Sequence, residues 1–173
     1  MKIVENTFKS DFELFYKQNY EGMLRLANFY LKDAEGAHEV VQEVFINLWN
    51  TVQEHNNSLN KAYAFTSVKN RSLNYLRDKK KSYSFDDEGV DEISDQASNP
   101  IELLEYNHLK SIINQAIIDL PERCKLIFLL KRREGMSHKQ IALLLDIAEK
   151  TIENQMTKAL RLIRKKIEEN GNL

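Results

Sequence analysis

The stretch Ser137–Arg164, SHKQIALLLDIAEKTIENQMTKALRLIR, decides the fold predicted for the second half of this chain. Ser137 can accept a backbone N–H at a helix start, and Gln140 can reach back to the same turn, so the two residues predict a capping box. Apolar residues then recur at helical spacing on both sides of a four-residue corner, Leu145–Ala148. The stretch therefore predicts two short helices that cross at this corner, a helix-turn-helix.

The corner and the second helix define which side chains face inward. Asp146 occupies the position where such corners usually have Gly, and Asp tolerates a left-handed backbone better than most residues. Ile147 is expected to fill the space between the two helices. The spacing of three and four residues directs these side chains of the second helix inward: Ile152, Met156, Ala159, Leu160 and Ile163.

The opposite side of the second helix carries short polar, amide and basic groups, which can hydrogen-bond base edges and phosphates from a major groove. These residues are Lys150, Thr151, Glu153, Asn154, Gln155, Thr157 and Lys158. A helical hairpin with an ordinary solvated face would show the same pattern. Charge favours DNA, because residues 121–166 contain twelve Lys or Arg against five Asp or Glu in a protein of net charge -1.

Composition indicates an all-α protein of two small helical domains joined by an acidic flexible linker. The 173 residues include only five Gly and two Pro. The single cysteine excludes an internal disulfide, and with four scattered His residues it gives no zinc framework, so we expect no metal and no cofactor. No apolar run is long enough for a membrane span, and a reducing cytoplasm is the expected location.

Two stretches of the first half have opposite charge. After an aromatic helix that begins near Phe8 and is expected to form core, the helix from Asp33 to about Asn50 has an acidic and amide-bearing side with no Lys or Arg. This side can dock on a basic protein surface, or it is an ordinary solvated face above a core Trp49. Its acidic and amide residues are Asp33, Glu35, Glu39, Gln42 and Glu43.

The next helix, from Lys61 to about Lys81, follows a polar stretch, Thr51–Asn60, that is predicted to be a loop. Its aromatic residues alternate with bases, a pattern that suits stacking on unpaired nucleobases along a phosphate backbone. Core aromatics with a solvated basic edge are the alternative. The domain boundaries predicted from these patterns are 1–81 for the first domain, 82–99 for the linker and 100–173 for the second.

In the second domain, Pro100 is expected to begin one helix and Pro121 another that ends at Gly135. Leu120, Ile127, Phe128 and Leu130 are predicted to pack beneath the helix-turn-helix, and Cys124 is predicted to be a core thiol.

Three separated motifs resemble the extracytoplasmic-function (ECF) group of bacterial RNA polymerase sigma factors, within the sigma-70 family. DAEGAHEVVQEVFINLW is similar to the second conserved region of that family, SVKNRSLNYLR to the helix that follows it, and LPERCKLIFLLKRREGMSHKQIALLLDIAEKTIENQMTKALRLIR to the fourth region. The resemblance implies a dissociable subunit without a catalytic site or small-molecule substrate. Its partners would be core RNA polymerase, promoter DNA as duplex and melted strand, and an anti-sigma factor, which in this family is often membrane-bound.

The resemblance also implies a role for each set of residues. The clamp helices of the polymerase would be bound by Asp33, Glu35, Glu39, Gln42, Glu43, Phe45 and Trp49. The minus-ten element would be received by His55, Asn56, Asn57, Asn60, Tyr63, Phe65, Lys69, Asn70, Arg71, Asn74 and Arg77. The minus-thirty-five element would be read by Glu149, Lys150, Thr151, Glu153, Asn154, Thr157, Lys158, Arg161 and Arg164.

The sequence departs from the family pattern at three positions. Asn74 stands where many relatives have Asp, Asp146 replaces the corner Gly, and Ala148 replaces a hydroxylated helix cap. The missing cap is expected to lower helix stability by about 1 kcal/mol.

Two other functions compete with the sigma factor. A conventional regulator would use the same helix-turn-helix on duplex operators without polymerase, but it gives the acidic helix and the basic-aromatic helix no task. An adaptor that binds polymerase and not DNA conflicts with the basic second domain. An enzyme is not expected, since Ser137 and His138 point apart on a helix and no Gly-rich phosphate loop is present.

Overall fold

The computed structural model describes residues 2–55, 59–82 and 104–170, with side chains for 9–53, 59–79 and 110–170. Within these ranges all regular secondary structure is helical, and the helices form two compact units, α1–α3 and α4–α7. The prediction of an all-α chain with two helical domains is confirmed. The helices are α1 Lys2–Leu31, α2 Ala34–His55, α3 Lys61–Ser82, α4 Leu104–Ile118, α5 Glu122–Arg132, α6 His138–Leu145 and α7 Glu149–Asn170.

The predicted linker lies largely outside this description. Ser82, its first predicted residue, is the last residue of α3, and residues 83–99 are not described. Pro100, the predicted start of the next helix, also lies outside the described residues. The boundaries of the two domains therefore stay predictions. None of the described helices combines the length and hydropathy that a membrane crossing requires.

In the first unit, α1 is a single long helix that packs against both α2 and α3. Its aromatic residues surround Phe45 of α2, with ring centroids 4.6 Å apart for Tyr16 and 6.2 Å for Phe12 and for Tyr20. Edge-to-face, tilted and stacked ring pairs of this kind add to the stabilisation from apolar burial. The aromatic stripe of the N-terminal helix is thus packing, as predicted, although the side chain of Phe8 lies outside the description.

Helix α2 is longer than the sequence predicted. It continues to His55, so Thr51–His55 are helical and not part of a loop. Thr51 donates its hydroxyl to the Asn47 carbonyl at 2.8 Å, and it is half-buried with Val52 against the rest of the unit. Tertiary packing outweighs the weak helical preference of this polar stretch.

In the second unit, α5 begins after Pro121, and Gly135 with φ 67° follows its end. Leu120, Ile127, Phe128 and Leu130 are buried, which confirms the predicted support beneath the helix-turn-helix. Cys124 is also buried and donates its thiol to the Gln155 carbonyl of α7 at 3.3 Å. Cys124 is therefore a core thiol as predicted, and its burial raises the pKa of the thiol.

The helix-turn-helix has the predicted local geometry. The Ser137 hydroxyl accepts from the Gln140 N–H at 3.1 Å, while the Gln140 side-chain oxygen accepts from the Ser137 N–H at 2.8 Å. Asp146 adopts the left-handed conformation, with φ 55° and ψ 54°, and Ile147 is half-buried at the turn. The capping box and the Asp-containing corner are therefore confirmed.

One inward prediction in this motif is wrong. Ile152, Met156, Ala159 and Ile163 form the buried stripe of α7, but Leu160 is exposed. Leu160 follows Ala159 directly, so it is rotated by about 100° from it on the helix. This rotation takes Leu160 beyond the edge of the buried stripe.

Candidate protein and nucleic-acid interfaces

The outer face of α2 is a continuous stripe, which we call the α2 stripe: Glu35, Glu39, Gln42, Ile46 and Asn50. Their spacing of three and four residues places them on one side of the helix, and all five side chains are exposed. Ile46 is 60% exposed and is the only apolar member. The sequence prediction missed it, although its position four residues after Gln42 is the signal that places it there. The stripe thus combines carboxylates and amides with one exposed aliphatic anchor.

Two aromatic residues predicted for this surface lie beneath it. Phe45 is only 4% exposed, because the α1 aromatic residues surround its ring. Its assignment to a protein-binding surface is therefore wrong for the described structure. Trp49 is half-buried, with its ring centroid 4.8 Å from that of Phe12. These rings support α2 from the core side.

Two ion pairs join α3 to α2 and to the residue that precedes α2, and one of them links residues that the sequence assigned to different partners. Glu43 accepts from the Arg71 guanidinium at 2.6 Å, and Asp33 accepts from the Lys79 ammonium at 3.1 Å. Glu43, which was predicted to bind polymerase, is thus in direct contact with Arg71, which was predicted to bind DNA.

Asp33 also caps α2. Its Oδ1 accepts from the Gly36 N–H at 3.1 Å. This backbone hydrogen bond, opposed by partial burial and assisted by Lys79, lowers the pKa of the Asp33 carboxyl below 3.8. A Cβ atom at Gly36 would come within 3.0 Å of both Asp33 Oδ2 and the Tyr75 hydroxyl, so Gly allows this close approach of α3 to the start of α2. Asp33 therefore organises the N-terminus of α2.

Replacing Asp33 by Ala should lower the free energy of unfolding by about 1 kcal/mol near pH 7, because the cap is lost. A carboxyl whose pKa is lowered by folding stabilises above its unfolded pKa and loses that contribution as the pH falls through the folded pKa. The difference between wild type and Asp33→Ala should therefore shrink in acid. Urea titrations followed by the fluorescence of Trp49, the single tryptophan, measure it. Asp33→Asn, which retains capping ability, is the matched control and should lose less stability at pH 7.

The outer face of α3 presents a second surface, which we call the α3 face: Tyr63, Asn70, Asn74 and Arg77. All four are exposed, and Tyr63 is 57% exposed. Asn60 precedes the helix and accepts from the Tyr63 N–H at 3.1 Å, so it caps α3 beside this aromatic ring. An exposed ring set among amides and a guanidinium can stack on a nucleobase and contact phosphates.

Other residues predicted for this surface lie elsewhere. Phe65 is completely buried in the unit where α3 packs against α1 and α2, so its assignment to DNA is wrong for the described structure. Lys69 is half-buried on another side of α3. The side chain of His55 lies outside the description, as do Asn56 and Asn57 entirely. Tyr63 is exposed and Phe65 is buried, although both lie in the same stretch of alternating aromatic and basic residues. The sequence pattern therefore could not distinguish the surface ring from the core ring.

Helix α7 presents the third surface, which we call the α7 face: Lys150, Asn154, Thr157, Lys158 and Arg161. All five are exposed and lie opposite the buried stripe. Lys150 donates to Glu153 at 2.9 Å, and this hydrogen bond with its positive charge lowers the pKa of the Glu153 carboxyl. Thr157 donates to the Glu153 carbonyl at 2.9 Å. The other predicted residues comprise Glu149 and Arg164, both exposed, and Thr151, which is half-buried.

Arg164 extends this surface along α7. Its guanidinium donates to Glu168 at 2.9 Å one turn further on. On the opposite side, Lys166 pairs at 3.0 Å with Asp119, which directly follows α4, and ties the end of α7 to its own unit. Among the side chains described, no group of three or more His, Cys, Asp or Glu is arranged to hold a metal ion.

Two family models match this chain, one in each of the two units. The model for Sigma-70 region 2 matches residues 15–82, and the model for Sigma-70, region 4 matches residues 110–163, so together they cover more than two thirds of the chain. RNA polymerase sigma factor SigV of Bacillus subtilis (strain 168) is 25% identical over 150 residues, which are 86% of this chain and 84% of SigV.

A solved structure has the same fold. It is the sigma factor RpoE in complex with the anti-sigma factor NepR, from Bartonella quintana, with a TM-score of 0.51 and 20% identity. The similarity covers 89% of this chain and 96% of that one.

Proposed function

The chain belongs to the sigma-70 family and is an ECF-type sigma factor that binds core RNA polymerase and directs initiation at particular promoters; we propose which surface carries each step. The observation that carries the proposal is the arrangement of the first unit. It presents an acidic stripe with one aliphatic anchor on α2 and an aromatic-basic face on α3. A regulator that binds only duplex DNA needs neither surface.

The α2 stripe is the docking surface for core polymerase. Glu35 and Glu39 supply negative charge for a basic partner, and Gln42 supplies an amide. Ile46 supplies the apolar contact that a desolvated interface centre requires. Phe45 and Trp49 act from beneath by holding α2 in place.

The α3 face receives the melted minus-ten strand. Tyr63 offers an exposed ring for stacking, and Asn70, Asn74 and Arg77 offer hydrogen bonds and charge along the same side. Unstacking DNA costs roughly a few kcal/mol per step. Stacking and phosphate contacts made only by the opened strand offset that cost, since base–aromatic stacking contributes about 1–3 kcal/mol per base.

The α7 face reads the minus-thirty-five element as duplex. A recognition helix places its N-terminal residues at base edges and its later basic residues nearer phosphates. Lys150 and Asn154 lie near the N-terminus of α7, where side chains reach base edges. Arg161 and Arg164 lie further along the helix, nearer the phosphates.

This function requires neither a catalytic site nor a cofactor, and its location is the cytoplasm, where polymerase and chromosome meet. The RpoE structure contains an anti-sigma factor. A protein of that kind is the regulator we propose for this chain.

Titration of the purified protein against bacterial core RNA polymerase, followed by run-off transcription from a promoter library, tests the proposal. We expect binding to core and transcripts from a subset of promoters that share two elements. Duplex binding without binding to core would instead identify a conventional helix-turn-helix regulator.

Replacing Lys158 by Ala should weaken duplex binding and lower the salt slope, −d(log K)/d(log[salt]), by about 1, because one phosphate contact is lost. Fluorescence anisotropy with the selected promoter duplex at several salt concentrations measures both quantities. Lys17→Ala, which removes one exposed lysine from α1, is the matched control. An unchanged slope for Lys158→Ala would remove this residue from the phosphate contacts.

A further inference from the structure

Glu43 and Arg71 stand at the boundary between the α2 stripe and the α3 face. Their ion pair joins Oε2 and Nε at 2.6 Å, and the side chains are 40% and 31% exposed. Glu43 follows Gln42 of the stripe directly, whereas Arg71 follows Asn70 and lies three residues before Asn74 on the α3 face. Each partner is thus accessible from the surface on its own side.

We propose that this ion pair couples polymerase docking to capture of the melted strand. In the free protein Glu43 neutralises Arg71 and holds its guanidinium toward α2. A basic partner surface that docks on the α2 stripe competes for Glu43 and releases Arg71 toward the α3 face. This proposal rests on the assignment of those two surfaces to polymerase and to DNA.

Thermodynamic linkage makes the coupling reciprocal. If docking strengthens DNA binding by some factor, DNA binding strengthens docking by the same factor. The second ion pair, Asp33 with Lys79 at 3.1 Å, joins α3 to the residue that caps the start of α2. Asp33 is also held by its cap to Gly36, so its carboxylate is less free to exchange partners. Glu43 is therefore the residue that links the two surfaces.

The size of the effect follows from the exposure of the pair. Partly exposed ion pairs contribute up to about 1 kcal/mol, which corresponds to a change of about two- to fivefold in affinity. We therefore expect Glu43→Gln to bind a fluorescein-labelled dT15 oligonucleotide about two- to fivefold more tightly than wild type, without polymerase. Glu39→Gln is the matched control, because it removes the same charge from the neighbouring α2 stripe, where Glu39 makes no ion pair to any described residue.

A double-mutant cycle isolates the pair, with anisotropy measured on the full chain so that the second unit contributes equally in all proteins. Arg71→Gln should weaken dT15 binding, and Glu43→Gln should have no further effect in the Arg71→Gln background. Equal tightening by Glu43→Gln and Glu39→Gln would overturn the proposal, as would tightening by Glu43→Gln that persists without Arg71.

The polymerase side is tested with core RNA polymerase and no DNA. Arg71→Gln frees Glu43, so it should bind core about two- to fivefold more tightly than wild type. Lys69→Gln, which removes the same charge from α3, should bind core with the affinity of wild type. If wild type binds core and Arg71→Gln brings no gain over Lys69→Gln, the coupling is refuted while the sigma-factor function stands. If wild type does not bind core at all, the proposed function itself fails.

Discussion

Replacing Phe65 by Ala should lower the free energy of unfolding of the first unit by about 3–5 kcal/mol. Phe65 is 0% exposed and is the largest of the fully buried side chains among the residues that the structure describes. Its removal leaves a cavity in the core of the first unit that the neighbouring helices cannot fill completely. Urea denaturation followed by Trp49 fluorescence reports on this unit, since Trp49 packs against Phe12 of α1.

Two milder variants test the roles of Phe65 and Tyr63 if Phe65→Ala does not fold. Phe65→Leu should lose stability but retain binding to single-stranded DNA when folded. Tyr63→Leu should change stability by no more than about 0.5 kcal/mol, because the ring is exposed. It should weaken binding to a minus-ten strand by the loss of one stacking contact, about 1–3 kcal/mol. The reverse outcome, a stable Phe65→Leu protein that no longer binds DNA, would restore Phe65 to the DNA surface that its sequence position suggested.

Replacing Ile46 by Lys should weaken binding to core RNA polymerase by at least about tenfold. An apolar anchor at an interface centre typically contributes about 2 kcal/mol or more when truncated. The introduced ammonium adds repulsion from the basic partner surface that the neighbouring acids are expected to attract. Stability should not change, because Ile46 is 60% exposed. Titration of labelled protein with core polymerase measures the affinity.

Leu14→Lys is the matched control for this variant. Leu14 is 56% exposed, so it undergoes the same substitution at nearly the same exposure, but it lies on α1 and not on the α2 stripe. We expect Leu14→Lys to bind core as wild type does. Wild-type affinity of Ile46→Lys would exclude the α2 stripe as the docking surface, and equal losses in both variants would point to a general effect of added charge.

Glu43 is less suitable than Ile46 as a test of docking alone. A Glu43→Lys substitution reverses charge on the α2 side but also places an ammonium beside the Arg71 guanidinium. Loss of polymerase binding would then combine two causes. The sequence, which assigned the two residues to different partners, offered no sign of this contact, because twenty-eight positions separate them in the chain.

Local signals predicted most of the fold. The capping box at Ser137, the left-handed Asp146 and the Pro121 and Gly135 boundaries of α5 involve contacts within a few residues, and each was correct. The end of α2 was not, because polar residues at Thr51–His55 suggested a loop. Their helical state depends on packing of Thr51 and Val52 against the rest of the unit.

By itself the sequence determined that this is a helical protein with a helix-turn-helix, an acidic α2, a basic-aromatic α3 and the motifs of an ECF sigma factor. Periodicity, capping and charge are properties of short segments, so they can be seen in the chain alone. Only the tertiary structure decided that Phe45 and Phe65 are core, that Ile46 and Tyr63 are surface, and that Glu43 holds Arg71. Burial and ion pairing depend on how three helices rotate against one another, and that rotation is set by long-range packing which no single segment contains.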